Sequence, residues 1–251
     1  FIHDIKKIVP KIPTNRQTLL FSATMPKTIE GLARDLLRNP QKVEVTPPST
    51  TVERIAQKVI YCDRGTKNSL LEKVMKEEQM DLVLIFSRTK HGANRISEYL
   101  QKNKIPSAAI HGNKSQNNRE TALANFKSGK IKFLVATDIA ARGIDVDGVS
   151  HVINFDVPVD AESYVHRIGR TARAGREGIA ITFCDDSEKD ALKRIEKLIK
   201  YIIPKENYIE DPQIKLQRSR EASKAVAKAR ENKPAGEAGK PKVGYRFRNR
   251  R

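Results

Sequence analysis

The sequence predicts an α/β fold built on a doubly wound parallel sheet. Strand-like apolar runs alternate with helix-like segments across roughly 150 residues, which is the pattern of such sheets. Leu82–Phe86 (LVLIF) is apolar at every position, as in a strand that is buried on both faces. Ser115 and Gly129 bracket a helix-like segment, because serine favours the N-cap and glycine the C-terminal end. In such sheets the ligand site is expected at the loops that follow the carboxyl ends of the strands.

The first 46 residues are predicted to be the end of a domain. Thr18–Phe21 (TLLF) and Lys42–Val45 (KVEV) are predicted strands, and the spacing of apolar residues from Ile29 to Leu37 predicts a helix between them. This piece is too small to bury its own core, so we expect the carboxyl-terminal edge of a larger domain. No initiator Met precedes it, and we therefore expect the chain to begin inside a longer protein.

The second domain is predicted to run from residue 52 to residue 203, after a proline-containing linker at residues 47–51. Its predicted strands are Ile55–Cys62, Leu82–Phe86, Ser107–Ile110, Ile131–Ala136, His151–Phe155 and Ile179–Cys184. Its predicted helices are Lys67–Glu78, a helix capped by Thr89 that runs to about Lys102, a helix capped by Ser115 that runs to Lys127, and a last helix that ends near Ile203. Ser187 and Asp190 are expected to form a capping box for the last helix.

Residues 204–251 are predicted to be a disordered basic tail. They contain 14 Lys and Arg against 6 Asp and Glu, a net charge of +8, and their branched aliphatic residues are too few to order the stretch. Tyr245–Arg248 (YRFR) interleaves aromatic rings with arginines, which suits single-stranded nucleic acid. A tail that only keeps the protein in solution fits the same composition.

The charge balance of the whole chain favours a polyanionic partner. The formal net charge is +18, from 48 Lys and Arg against 30 Asp and Glu, and nucleic acid is the commonest partner of such proteins. No apolar run approaches the ~20 residues of a membrane span, and the N-terminus lacks the features of a signal peptide. Two isolated cysteines, Cys62 and Cys184, indicate neither a disulfide framework nor a zinc site, so we expect a reducing, cytoplasmic location.

The stretch Tyr164–Gly175 (YVHRIGRTARAG) concentrates three arginines, Arg167, Arg170 and Arg173, beside His166. On a helix, His166, Arg170 and Arg173 share one face. Guanidinium groups match phosphate oxygens in a planar, two-point geometry. The stretch predicts either a phosphate clamp of the arginine-finger kind or a solvated basic turn, and its spacing alone does not decide between them.

Further polar residues follow predicted strands. Thr137 and Asp138 are placed to hydrogen-bond a phosphate and a ribose hydroxyl, and Asp145 can accept from a sugar hydroxyl after a tight turn at Gly143. A helix cap is the competing interpretation for Asp138. The other candidates, for which ordinary surface or capping positions are the alternative, are Arg88, Gln116, Arg119, Ser22 and Thr24.

Taken in order, five segments resemble the motifs of the DEAD-box RNA helicases. They are Ser22–Thr24 (SAT), Leu82–Thr89 (LVLIFSRT), His111–Arg119 (HGNKSQNNR), Val135–Asp145 (VATDIAARGID) and Tyr164–Gly175 (YVHRIGRTARAG). The resemblance covers residues 1–203, the last two segments are its most specific part, and the bacterial RhlE-type branch is the most similar. It implies a RecA-like helicase C-terminal lobe, preceded by a fragment of a first RecA-like lobe.

The resemblance also implies roles for individual residues, with ATP-Mg²⁺ bound on one side of two closing lobes and single-stranded RNA on the other. The residues implied to contact ATP are Arg170 and Arg173 at the γ-phosphate and Gly143 and Asp145 at the ribose. His166 is implied to link this stretch to the catalytic motifs of the first lobe, with Arg167 supporting it. Ser22 and Thr24 are implied to couple hydrolysis to lobe closure. The residues implied to hold or brace the RNA backbone are Arg88, Gly112, Thr137, Asp138, Gln116 and Arg119. Backbone contacts carry little sequence information, so RNA selectivity is expected to be low.

The sequence departs from the family pattern in two ways. Ala172 stands where the family usually has glycine, and we expect a helical turn to accommodate it. The chain has no GxxxxGK[ST] phosphate loop, no DEAD box and no adenine-reading Q motif. It is therefore expected to supply half of a catalytic site, with ATP and Mg²⁺ held mainly by the absent first lobe, and to be inactive alone. A non-enzymatic RNA-binding module and a DNA helicase fragment are the competing hypotheses.

Overall fold

The computed structural model describes residues 2–22, 25–44, 54–142, 144, 146–173 and 176–212. The chain divides into two units, residues 1–208 and residues 209–251. Of the second unit only residues 209–212 are described, so most of the predicted tail, including Tyr245–Arg248, lies outside the described residues. Among the described helices, none has the length and apolar character needed to cross a membrane.

A seven-stranded sheet forms the centre of the first unit, and every pair of neighbouring strands is parallel. The strand order is β3-β4-β2-β5-β6-β1-β7. The strands are β1 (Ile55–Tyr61), β2 (Leu82–Phe86), β3 (Ser107–Ile110), β4 (Phe133–Ala136), β5 (Val149–Asn154), β6 (Gly178–Cys184) and β7 (Lys205–Asn207). The predicted α/β fold with a parallel sheet is confirmed.

Helices cover both faces of this sheet. The described helices are α1 (Ile2–Ile8), α2 (Lys27–Leu36), α3 (Lys67–Glu77), α4 (Lys90–Lys102), α5 (Gln116–Lys127), α6 (Asp138–Ala141), α7 (Ala161–Ile168) and α8 (Lys189–Ile199), of which α3 to α8 cover the sheet. Apolar residues of α3 and α4 pack on one face, and those of α5 to α8 pack on the other. The connections on the first face all run toward β3 and those on the second toward β7, as crossovers of a single hand require.

The central strand β2 explains why its sequence is apolar throughout. Val83 and Ile85 pack against α3 and α4, whereas Leu84 and Phe86 pack against α5 and α6. All four side chains are fully buried. Burying each of them stabilises the fold by about 1.5–3 kcal/mol, so both faces of β2 contribute to the core.

Two helix starts match their predicted caps. The Thr89 Oγ1 accepts a hydrogen bond from the Gly92 amide at 2.9 Å, and the Ser115 Oγ accepts one from the Asn118 amide at 3.3 Å. Each side chain satisfies an amide that the first helical turn leaves without an intrahelical acceptor. The N-termini of α4 and α5 therefore begin where the sequence predicted.

The capping box before α8 is formed by a different pair of residues from the predicted Ser187 and Asp190. The Asp185 carboxylate accepts from the Ser187 amide at 2.9 Å, and the Glu188 carboxylate accepts from the Asp185 amide at 3.2 Å. The prediction was wrong because a 3-10 turn, Asp186–Glu188, precedes the α-helix. The cap therefore lies two residues earlier in the chain.

Helix α8 ends at Ile199, earlier than the predicted end near Ile203. Lys200 has a left-handed backbone with φ of 53°, which turns the chain so that Ile203 enters the core fully buried. The Pro204 carbonyl then accepts from the Val59 amide at 2.8 Å and leads into β7, which pairs with β1. Residues 205–207 thus belong to the sheet, and the predicted start of the tail at residue 204 was wrong.

The predicted strands of the N-terminal segment are absent from residues 18–21 and 42–44; Val45 lies outside the described residues. Leu19 and Phe21 are 67% and 89% exposed, and no residue of α1 or α2 is buried. A strand requires a neighbouring strand to complete its hydrogen bonds, and the described part of this segment offers none. The predicted helix, by contrast, is present as α2.

Candidate nucleotide and nucleic-acid site

The candidate residues converge at the carboxyl-terminal edge of the sheet. The loops after β2, β3 and β4 carry Arg88, Gly112 and Thr137, and these three strands are neighbours in the order β3-β4-β2. Because all the strands are parallel, their carboxyl ends meet at one edge, as predicted. Arg88 and Thr137 are partly exposed and Gly112 is exposed, so the edge is open to a ligand.

Arg167 is the buried centre of this edge, with a side chain that is 1% exposed. Its Nε and Nη2 donate to the two carboxylate oxygens of Asp138 at 2.6 and 2.8 Å. Its Nη1 donates to the Asn154 side chain at 3.2 Å and to the Asp156 carbonyl at 2.7 Å. The guanidinium also lies 5.0 Å from the centre of the Phe86 ring.

Through these contacts, Arg167 holds the loop after β4 against the ends of β5 and β2. A guanidinium that is engaged on both edges and buried cannot also receive a phosphate, so Arg167 positions its neighbours. Asp138 is turned toward Arg167 by the same two bonds. Its two oxygens are therefore not placed as ligands for a Mg²⁺ ion, and the described residues contain no cluster of acidic, His or Cys side chains suited to a metal.

The remaining residues of the arginine stretch do not share a helical face. Helix α7 ends at Ile168 with Gly169 as its C-cap, so Arg170 lies in a turn and Arg173 beyond it, while His166 is exposed on the helix. The prediction was wrong because the chain leaves the helix to meet the sheet. The hydroxyl of Thr171 donates to the Val149 carbonyl at 2.5 Å, which fixes the turn after α7 against the start of β5.

The turn after α7 brings two cations to the same region as the loop after β4. The Arg170 Nη1 donates to the Ile144 carbonyl at 3.0 Å, and the Arg173 Nε donates to the Gly169 carbonyl at 3.2 Å. Both residues are half-buried. Ile144 lies between Gly143 and Asp145, which both fall outside the described residues, so Arg170 adjoins the segment that was predicted to contact the ribose.

Ala172 adopts a left-handed backbone, with φ of 55°. We expected a helical turn to accommodate this alanine, and that expectation was wrong because α7 has already ended. The left-handed region disfavours a Cβ atom, and glycine is the residue that occupies it without strain. The departure from the family's usual glycine therefore carries a conformational cost.

The loop after β3 leads into α5 and contacts the first turns of α4. His111 is buried in this loop: its ring Nδ1 accepts from the Asn113 amide at 3.3 Å, and its Nε2 lies 2.9 Å from the Asn94 Oδ1 on α4. This arrangement requires the neutral ring with its proton on Nε2. Burial is the main cause that lowers the pKa of His111, and nearby Lys114, His91 and Lys90 lower it further.

The predicted bracing residues Gln116 and Arg119 lie at the start of α5. The Gln116 Nε2 donates to the Glu120 carboxylate at 2.7 Å, and the Arg119 Nη1 donates to the Gln116 Oε1 at 3.4 Å. The N-termini of α4 and α5 carry a partial positive charge, and Lys90 at the start of α4 donates to the Asn113 side chain of this loop at 3.2 Å. The region thus has the features of an anion-binding surface.

Two further candidates, Ser22 and Thr24, lie in the N-terminal segment. Ser22 is exposed, and Thr24 lies outside the described residues. Their predicted coupling role therefore stays a prediction, as do the predicted nucleotide contacts of Gly143 and Asp145.

Four residues that shape this edge were missed by the sequence analysis: Lys67, Asn154, Asp156 and Glu188. Asp156 accepts from the Arg88 amide at 2.8 Å and from the Ser87 hydroxyl at 3.0 Å. A polar residue directly after the predicted strand at 151–155 was the available signal for Asp156, by the same reasoning that selected Thr137 and Asp138. Lys67 and Glu188 gave no such signal, because each looked like an ordinary charge at a helix start.

Comparison with known proteins places these features in a family. Residues 66–175 match the model of the helicase conserved C-terminal domain. The DEAD-box ATP-dependent RNA helicase CshA of Bacillus licheniformis is 45% identical over 200 residues, which are 80% of this chain and 41% of that protein. The chain thus spans about two fifths of the length of this curated relative.

Solved structures agree with the sequence comparison. The Escherichia coli DEAD-box protein SrmB, bound to the regulator of ribonuclease activity A, is 34% identical with a TM-score of 0.57, covering 62% of this chain and 92% of that one. Saccharomyces cerevisiae Dbp5, bound to RNA and ADP BeF3, is 29% identical with a TM-score of 0.73, covering 88% of this chain and 57% of that one.

Proposed function

Since this chain belongs to the DEAD-box RNA helicase family and carries its helicase C-terminal domain, we propose that it acts as the second lobe of an ATP-dependent RNA helicase. The observation that carries the proposal is the pairing of Arg167 with Asp138. This pairing connects α7 to the loop after β4. The cations Arg170 and Arg173 after α7 and the polar groups at the edge of the sheet therefore form one rigid surface. A ligand on one side can thereby influence the other.

ATP would meet this lobe through the turn after α7. The residues proposed to contact it are Arg170 and Arg173 at the γ-phosphate and Gly143 and Asp145 at the ribose. Guanidinium groups offset the negative charge that spreads over the transferred phosphoryl group, and this is their contribution to the rate. Mg²⁺ would be held mainly by the first lobe, as the resemblance to the family implies.

RNA would lie along the carboxyl-terminal edge of the sheet. The residues proposed to hold its backbone are Arg88, Gly112, Thr137 and Asp138, with Gln116 and Arg119 bracing the surface. Asp138 would act through its bond to Arg167, because its carboxylate is already paired. Two helix N-termini and the formal charge of +18 support a phosphate-directed interface with low sequence selectivity.

Coupling between the two ligands would use residues at the lobe boundary. His166, exposed on α7, is proposed to contact the first lobe, with Arg167 fixing the helix that carries it. Ser22 and Thr24 are proposed to take part from the first-lobe side. The RhlE-type branch remains our proposal for the subfamily, from the motif wording and the basic tail, and a cytoplasmic location remains our proposal as well.

The test is ATP hydrolysis by the 251-residue chain, with and without single-stranded RNA, and then with the first lobe of a family member added. We expect no turnover alone, and RNA-stimulated turnover after complementation. Arg170→Ala should lower that turnover by roughly 10³-fold or more. Arg194→Ala, an exposed arginine on α8, is the matched control and should leave it unchanged.

Three other outcomes would change the proposal. Turnover by the chain alone would mean that ATP is bound and hydrolysed without the first lobe. RNA binding with no turnover in either condition would favour the non-enzymatic RNA-binding module. A preference for DNA over RNA of the same sequence would favour the DNA helicase fragment.

A further inference from the structure

A buried carboxylate, Glu188, lies directly behind Arg88. Its side chain is 2% exposed, yet both of its oxygens are hydrogen-bonded twice. Oε1 accepts from the Arg88 Nη2 at 2.5 Å and from the Val157 amide at 3.1 Å. Oε2 accepts from the Lys67 Nζ at 2.6 Å and from the Asp185 amide at 3.2 Å.

Lys67 compensates the buried negative charge of Glu188. Its side chain is also 2% exposed, and its ammonium donates to Glu188 and, at 3.0 Å, to the Phe155 carbonyl. The more exposed carboxylates of Asp156 and Asp185 lie farther away, at 3.8 and 3.6 Å. A buried carboxylate without a paired cation would be strongly destabilising, so Lys67 and Glu188 form a unit.

Of Arg88, Lys67 and Glu188, only Arg88 reaches solvent, with a side chain that is 44% exposed. Its Nη2 is held from behind by Glu188 and by the Val157 carbonyl at 3.2 Å. The guanidinium has further donors on its other edge, and the structure describes no protein acceptor for them. One edge is therefore anchored while the other remains available.

This anchoring has a consequence for binding. A free arginine loses about 2 kcal/mol of rotamer entropy when it is fixed against a phosphate. Because Glu188 already fixes Arg88, this rotamer entropy is lost when the protein folds and is not lost again when RNA binds. The Arg88 amide, held by Asp156, fixes the backbone of the same residue.

We propose that Glu188, paired with Lys67, is a positioning residue that presents the guanidinium of Arg88 to a phosphate of bound RNA. Neither Lys67 nor Glu188 lies in the motif segments that suggested the family. The inference rests on the proposed RNA-binding function of this lobe, and it adds residues from α3 and the turn before α8 to that surface.

The test measures the affinity of the 251-residue chain for a labelled oligouridylate about 12 nucleotides long, by fluorescence anisotropy, over a range of salt concentrations. Glu188→Gln and Arg88→Ala should each raise the Kd about tenfold. Each should also reduce the slope of log K against log salt by roughly 0.7, the value for one phosphate contact to a single strand. The double variant should be no weaker than either single variant.

Folding is controlled by a second variant and a matched substitution. Lys67→Gln with Glu188→Gln removes both charges of this pair together, so neither is left buried without the other. This variant should fold, yet it should bind RNA as weakly as Arg88→Ala. Glu196→Gln makes the same chemical change on α8, where a side chain that is 14% exposed pairs with Lys205. It should change the Kd by less than about twofold.

The outcomes separate this inference from the proposed function. If the unaltered chain does not bind the oligouridylate, the proposed RNA-binding function is wrong. If it binds, and the folded Lys67→Gln/Glu188→Gln variant binds equally well, the positioning role is overturned while the function stands. Effects of Arg88→Ala and Glu188→Gln that simply add, or an Arg88→Ala variant with full affinity, overturn it too.

Discussion

The guanidinium of Arg167 and the carboxylate of Asp138 lie side by side, joined by two hydrogen bonds of 2.6 and 2.8 Å. Arg167 is 1% exposed and the Asp138 side chain 36% exposed. Removing one partner of a buried pair leaves the other without compensation. We therefore expect Arg167→Met to lower the free energy of unfolding by about 3 kcal/mol or more, as measured by urea denaturation.

Two further variants serve as comparisons for the urea denaturation of Arg167→Met. Arg167→Lys keeps the charge but cannot make the two-point contact, so its loss should be intermediate. Lys193→Met removes an ion pair with Asp190 in which both side chains are more than three-quarters exposed, and should cost no more than about 0.5 kcal/mol. If Arg167→Met and Lys193→Met lowered the free energy of unfolding equally, the buried pair would contribute no more to stability than an exposed pair.

The left-handed Ala172 predicts a stabilising substitution. Glycine adopts φ of 55° without the steric cost that a Cβ brings, so Ala172→Gly should raise the free energy of unfolding by about 0.5–1 kcal/mol. Ala124→Gly makes the same change at an exposed position inside α5 and should lower it by about 1 kcal/mol. Thermal unfolding of the two variants should shift in opposite directions; a shift of the same sign would contradict the strain at Ala172.

A close approach at the start of β6 predicts a destabilising substitution. A Cβ on Gly178 would lie 2.7 Å from the Ala172 amide nitrogen and would collide with the Thr171 side chain that donates to Val149. Gly178→Ala should therefore cost about 1–3 kcal/mol in urea denaturation. Gly112→Ala, where no atom lies within 4 Å of the added Cβ, should leave the stability within about 0.5 kcal/mol.

Two buried histidines predict a dependence of stability on pH. Burial is the main cause that lowers the pKa of both His111 and His151, and the His151 Nε2 has no hydrogen-bond partner among the described residues. A histidine whose folded pKa is lowered binds fewer protons in the folded state than in the unfolded state at acidic pH. The free energy of unfolding should therefore fall as the pH falls below the ordinary histidine pKa of about 6.5.

Histidine variants measured over the same pH range identify the groups that cause this fall in the free energy of unfolding. His111→Asn should flatten the fall measured by urea denaturation between about pH 7.5 and 5, because the neutral amide removes one of the two proton-binding sites. His3→Asn, at an exposed position on α1, should leave the fall unchanged. A profile for His111→Asn as steep as that of the unaltered chain would assign the effect to other groups.

The parallel sheet was predictable because its strands carry local signals. Leu82–Phe86 is buried on both faces, and burial on both faces selects an apolar residue at every position. The caps at Thr89 and Ser115 were equally local. By contrast, Lys205–Asn207 (KEN) is a strand only because β1 offers it a hydrogen-bonding edge, which no property of these three residues indicates.

The candidate site was predicted in position but not in its internal arrangement. Strand ends located Arg88, Thr137 and Asp138 correctly at one edge of the sheet. The sequence treated three arginines as equivalent, but Arg167 is buried whereas Arg170 follows the end of α7, because burial depends on packing between distant elements. Glu188 was missed for the same reason: it lies 100 residues from Arg88 along the chain.

The last strand also affects how molecules of this protein meet one another. β7 is three residues long, and its residues, Lys205, Glu206 and Asn207, are all exposed. Short edge strands that carry charged side chains discourage a second sheet from adding to the open row of backbone donors and acceptors. The edge formed by β7 is therefore protected against self-association through β-sheet extension.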